Sequence, residues 1–313
     1  MLQFFRKKKN MEKDDGIVVL SRPEPYAGGG TTATQDTRAP KVILSGEMTY
    51  FSVFSALPYS QYDGKGRPPL HFVSACAAPA SEGTLLYLET CDILRRRARD
   101  AAWAYVKDNP FPALLQLARE EELAKDNGFH STTHGLPENF GGEIHIRYAG
   151  GETISVSNNQ TPILSRRAGE RIAALFAEAM RGERVPLPEL STLREIRFAE
   201  ERPSGAFTRA VLALQADGTA VNRKEQRFDD PTVYRSEKKA DAETVTAIRA
   251  AIERCALLAW PGLPKRACPI DEKKTLTFVF ADGRQIVVDH TSEAPDALRG
   301  GFFDVELEMT TKH

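Results

Sequence analysis

Two hairpin patterns that repeat in phase at a displacement of 132 positions constrain this chain more than any other feature. Glu143-Ile144-His145-Ile146-Arg147-Tyr148 alternates polar and apolar residues, turns at Gly150-Gly151 and resumes with Ile154 and Val156 on one face. Thr275-Leu276-Thr277-Phe278-Val279-Phe280 does the same, turns at Asp282-Gly283 and resumes with Ile286 and Val288. Without a gap, Ile144 falls on Leu276, Ile146 on Phe278, Tyr148 on Phe280, Ile154 on Ile286 and Val156 on Val288. Asp-Gly and Gly-Gly both suit the positive backbone dihedrals of a tight hairpin turn.

What precedes each hairpin also repeats. Gly135-Leu136-Pro137 and Gly262-Leu263-Pro264 stand upstream, each after a helix-like segment. In the second half that helix starts at Asp241, an N-cap residue, and carries Val245, Ile248, Ile252 and Cys255 at helical spacing. In the first half Leu114, Leu117, Ala118 and Leu123 correspond, with a stop at Asn127-Gly128. Strand patterns lie at Leu70 to Ser74, Thr84 to Leu88 and Leu193 to Phe198, with a further hairpin turning at Asp217-Gly218. The spacing predicts an extra helix from Asp92 to Lys107, and another from Ser165 to Arg181 with Ala168, Ile172, Leu175, Phe176 and Ala179 on one face.

These patterns define an α+β protein of two related halves, each an antiparallel sheet packed with amphipathic helices, as an internal duplication would produce. The expected organisation is a flexible tail over 1–40, a first α+β unit over 41–185 and a second over 190–313. Gly182 to Glu189, with Pro186 and Pro188, forms the connector. The tail assignment rests on its charge, on Arg22-Pro23-Glu24-Pro25 and on the run from Gly28 to Thr32. That Gly-Thr run lacks the lysine of a phosphate-binding loop.

Charge excludes a global field that would attract nucleic acid. Lys+Arg number 42 against Asp+Glu 43, and Arg95-Arg96-Arg97-Ala98-Arg99 reads as a solvated face rather than an RNA contact. No apolar run is long enough to span a membrane. The start, Met1 to Phe5 followed by Arg6-Lys7-Lys8-Lys9, lacks the apolar core of a secretory signal. Cys76, Cys91, Cys255 and Cys268 form no C-x-x-C pair and suit buried thiols in a reducing, cytoplasmic compartment.

Three of the six histidines fall between His130 and His145. His130 and His134, with His145 or Glu138, make a candidate three-ligand zinc site with an open position for water, which would suit a metal-dependent hydrolase. Gly128, Gly135 and Pro137 instead predict a structured loop, in which Ser131, Thr132 and Thr133 bond the backbone. On that reading no cofactor is needed, and His130, His134, Glu138, Asn139 and Phe140 form an interaction loop for a protein partner. The corresponding loop of the second half, Lys265 to Asp271, has no histidine.

Gly128 to Pro162, with Gly-Phe-His-Ser-Thr-Thr-His-Gly-Leu-Pro-Glu-Asn-Phe-Gly-Gly and Ser-Asn-Asn-Gln-Thr-Pro, resembles uncharacterised bacterial proteins of the domain-of-unknown-function kind. The resemblance rests on that run, 35 of the 313 residues, and implies a bacterial, cytoplasmic origin without an activity to transfer. With no recognisable nucleophile motif, the leading expectation is a non-enzymatic protein-binding or regulatory module. The sequence sets neither its oligomeric state nor the packing of its halves.

Overall fold

The computed structural model describes residues 16–21, 30–62, 64–66, 68–94, 99–135, 140–228, 230–266 and 273–310. The fold is mixed α+β, with a nine-stranded sheet, a six-stranded sheet and four α-helices among the described residues. None of those helices is long and apolar enough to cross a membrane. Two compact units divide the chain. The first runs to Arg181, and the second runs from Gly182 and also takes in Ala78–Leu85 and Trp103–Asp108.

In chain order the first part contains β1 (Ile17–Ser21), β2 (Gly30–Asp36), β3 (Met48–Ala56), β4 (Leu70–Ala80), β5 (Gly83–Asp92) and β6 (Asp100–Val106). It continues with α1 (Phe111–Glu120), β7 (Phe129–His134), β8 (Gly142–Tyr148), β9 (Thr153–Asn158) and α2 (Arg166–Ala179). The sheet order is β1-β2-β7-β9-β8-β3-β4-β5-β6. Alternation in β8 buries Ile144, Ile146 and Tyr148 on one face, while Glu143 stays exposed. Ser165 caps α2 by accepting from the Ala168 N–H at 3.0 Å, and Phe176 packs against Phe51 with ring centroids 5.8 Å apart.

Two expectations give way here. The segment expected to be a flexible tail supplies β1 and β2, and β2 pairs along β7 from Gly30↔His134 to Gln35↔Phe129. Its threonines are β-branched and bond across the strands, as in the 2.9 Å contact between Thr31 Oγ1 and Thr133 Oγ1. The helix expected over 92–107 is replaced at its C-terminal half by β6, at the sheet edge beside β5. Alanine and arginine favour a helix there, but Trp103, Tyr105 and Val106 prefer a pleated, half-buried surface and tertiary packing decides.

The second part contains β10 (Leu193–Glu201), β11 (Phe207–Leu214), β12 (Ala220–Arg227), β13 (Tyr234–Ala240), α3 (Ala242–Arg254), β14 (Lys273–Phe280), β15 (Gln285–Asp289) and α4 (Asp296–Thr310). Asp241 caps α3 through a 2.8 Å bond from the Thr244 N–H. Ile196, Phe198, Leu212, Leu276 and Phe278 form the buried side of the sheet.

Element by element, the two parts run parallel. In the first, β3, β4, β5, β6, α1, β8, β9 and α2 follow one another, with β7 interposed, and the strands lie in the order β9-β8-β3-β4-β5-β6. In the second, β10, β11, β12, β13, α3, β14, β15 and α4 follow, and the strands lie β15-β14-β10-β11-β12-β13. β1, β2 and β7 are additions to the first sheet. The helix before each hairpin also ends in the same way: Glu122 and Ala256 are the non-glycine residues with positive φ among the described residues, and each stands just past its helix C-cap.

Candidate functional site

The histidines come first. β7 is extended, so His130 and His134 are about 13 Å apart at Cα, four strand residues at roughly 3.3 Å each. Four-residue spacing joins two imidazoles on a helix and separates them on a strand. The expected loop is instead a strand held on both sides. β2 pairs along one edge, β9 meets the other at His130↔Ser157, and the Asn159 amide bonds both backbone groups of Thr133, at 2.8 and 2.9 Å.

His130 Nδ1 lies 2.9 Å from Ser157 Oγ. Ser157 faces Glu143 across β9 and β8, and His145 faces Ser155 and Ser52, its ring edge-on to Tyr50 at 5.7 Å. His130 and His145 therefore share the polar face of the sheet, on strands that β9 separates. His134 is exposed at the end of β7, and Phe140 is 55% exposed. Glu138 and Asn139 lie outside the described residues. Among the described residues no group of three or more His, Cys, Asp or Glu side chains is placed to hold a metal ion.

Other sequence candidates are placed as follows. Arg99 stacks over Phe72, 4.4 Å from the ring centroid, and pairs with Glu89 at 3.1 Å, whereas Arg95, Arg96 and Arg97 lie outside the described residues. Cys76, Cys91 and Cys255 are buried, and Cys268 lies outside the described residues.

A cavity in the first unit carries more chemistry. Past α1 the Leu123 N–H bonds the Ala118 carbonyl at 3.0 Å and the Glu122 N–H bonds that of Arg119 at 3.2 Å, a Schellman ending with Glu122 in the left-handed position. The turned chain is anchored by Asn127, which is 2% exposed: its Nδ2 donates to Pro40 O and Thr153 O, and its Oδ1 accepts from the Ser155 N–H. Between this turn and the segment leading into β3 lies a cavity of about 500 Å³. Ile43, Ala118, Tyr148 and Ile154 give it an apolar lining, and Lys41, Arg119, Lys125 and Glu122 give it charge, three cations against one carboxylate.

Two of the three cations are held in place by backbone acceptors. Arg119 Nη2 donates to Ser45 O at 2.9 Å, and Lys41 Nζ donates to Asn127 O. Tyr148 is 4% exposed, and among the described residues its hydroxyl has no hydrogen-bond partner. Burial pushes that hydroxyl up to about 12, against the lowering pull of Arg119 and with a further push from Glu152. It stays protonated at neutral pH and is a donor.

The second unit has a cavity of about 400 Å³ in the corresponding place. Aligned on Glu122 and Ala256, Ala118 falls on Ile252, Arg119 on Glu253 and Ala124 on Leu258, and all six line their cavities. Residues 187–191, which lead into β10, take the place of 41–43. The chemistry differs: leucines, Pro188 and Trp103 make this cavity more apolar, and its charged residues are Glu189 and Glu253.

Sequence reasoning missed both cavities, because each draws on separated segments and no local spacing marks them. No protein-family model and no curated protein matches the chain, so the chemistry of these sites carries the functional argument.

Proposed function

We propose that this protein is a non-enzymatic binding protein of regulatory type, whose first unit takes a small amphiphilic anion: a carboxylate or phosphate head on an apolar body. The observation that carries this reading is the Tyr148 hydroxyl, without a hydrogen-bond partner among the described residues, at a cavity with three cations and one carboxylate. An acceptor on the ligand would take the hydrogen bond of this hydroxyl, worth about 1.5–3 kcal/mol where the acceptor is charged. Arg119 and Lys41 supply the charge for the head, and Ile43 and Ile154 the surface for the body. The buried cysteines Cys76, Cys91 and Cys255, small apolar residues of the core, suit a reducing, cytoplasmic setting.

Calorimetric titration with octanoate and octyl phosphate tests it. Both should bind saturably, octanol should bind at least about tenfold more weakly, and Tyr148→Phe should weaken octanoate by about tenfold, the worth of one hydrogen bond to a charged acceptor. Equal binding of octanol and octanoate, or no binding of either anion, would sink the reading.

We also propose that the two units descend from one duplicated ancestor. The shared strand order, the in-phase hairpins and the matching left-handed helix ends support this. An experimental structure with a different strand order in either unit would end it.

A further inference from the structure

We infer that the cavity of the second unit binds a small organic cation, an ammonium group carried on an aromatic or branched apolar body. This goes beyond the anion site of the first unit and rests on separate residues. Glu253 stands where the first unit has Arg119, so the charge presented to an equivalent cavity is reversed. Glu189 lies across the same cavity, and its carboxylate accepts from the Ser191 hydroxyl at 3.2 Å. Among the described residues neither carboxylate is ion-paired, although the adjacent Arg254 pairs with Asp304 at 2.8 Å and Lys265 with Asp289 at 2.8 Å.

Three further features favour a cation over a neutral apolar guest. Trp103 is half-buried and lines the cavity, and the face of an indole attracts ammonium groups. Glu253 lies in the last turn of α3, where the aligned carbonyls already carry partial negative charge and a carboxylate is unfavourable unless a cation joins it. Leu187, Ile252 and Leu258 line the remainder and offer an apolar surface to the organic body of the ligand. A volume of about 400 Å³ accommodates a phenylalkylammonium ion with room to orient.

The full-length protein is titrated with phenethylammonium, 2-phenylethanol and phenylacetate, by calorimetry and by tryptophan fluorescence. The chain has two tryptophans: Trp103 in the cavity, and Trp260, which is buried and bonds the Cys255 carbonyl at 3.0 Å. Phenethylammonium should bind saturably, perturb the emission, and bind about tenfold or more tightly than either analogue, the expected worth of a cation–π contact together with two carboxylates. Glu189→Gln with Glu253→Gln, both at exposed positions, should weaken it about tenfold while circular dichroism and octanoate binding stay unchanged. Equal binding of all three probes would make the cavity merely apolar and overturn the proposal. So would an unchanged affinity in the double variant, or no binding at millimolar concentration. None of these outcomes bears on the anion site, which is read with a different probe in the other unit.

Discussion

Glu122 and Ala256 adopt the same left-handed backbone conformation, φ 51° and 52°, each one residue past the C-cap of the helix that precedes its hairpin. A side chain in this region costs about 1–2 kcal/mol, and glycine removes that cost while adding roughly 0.5–1 kcal/mol of unfolded-state entropy. Glu122 is exposed, so Glu122→Gly should stabilise the protein by about 0.5–1 kcal/mol in urea unfolding. Ala256 is buried, and losing its methyl group costs about 0.8 kcal/mol, so Ala256→Gly should be close to neutral. A loss of stability in Glu122→Gly would contradict the conformation.

Gly301 of α4 sits against Cys255 at the end of α3. A Cβ at 301 would lie 2.3 Å from the Cys255 Cβ and 2.6 Å from its Sγ, closer than packed atoms tolerate. In an exposed helix Gly→Ala would stabilise by 0.5–1 kcal/mol, but here overpacking of about 1–3 kcal/mol outweighs it. Gly301→Ala should therefore lower the unfolding midpoint, whereas Gly300→Ala, with open space around it, should raise it. The opposite order would remove the close approach of α3 and α4.

These two glycines also explain why α4 was not legible in the sequence. A Gly-Gly pair reads as a break, and only the neighbouring helix shows that small residues are needed there. The two hairpins, the helix from Ser165 and the cap at Asp241 were legible, because alternation, helical spacing and capping are local. β13 was not, since its residues before Ala240 are exposed on both faces and have no apolar period; Glu237 and Arg235 pair instead with Arg223 and Glu225 directly opposite on β12. The spacing of His130 and His134 was visible, but its meaning depends on whether the backbone is helical or extended. Lys41, Arg119 and Tyr148 converge only through the fold, so no window of sequence holds their cavity.

Asn127 ties the turn after α1 to Pro40, Thr153 and Ser155. Asn127→Ala would leave a buried N–H and two carbonyls without this partner, at a cost on the order of 3 kcal/mol. The expected result is a clear drop in thermal midpoint together with weakened octanoate binding, because Lys41 Nζ donates to the carbonyl of the same residue at the cavity edge. Unchanged stability would show that the turn is held by its helix ending alone.

Asp289 makes the stability of the second unit depend on acid. Burial acts to raise its carboxyl, but Lys265 Nζ at 2.8 Å and the Thr291 N–H and hydroxyl at 2.9 and 2.8 Å outweigh it and hold the group below its ordinary value of 3.8. A carboxylate depressed in the folded state binds its proton more weakly than in the unfolded chain. Its contribution is therefore fully present above about pH 4 and fades as the pH falls through the depressed value. Asp289→Asn removes the charge while preserving the shape, and at pH 7 should cost about 1–3 kcal/mol through weakened bonds to Lys265 and Thr291. Wild type and variant should converge as urea unfolding is repeated from pH 7 down to pH 2.5. A difference that stays constant over that range would mean that Asp289 is not held in its charged form by these partners.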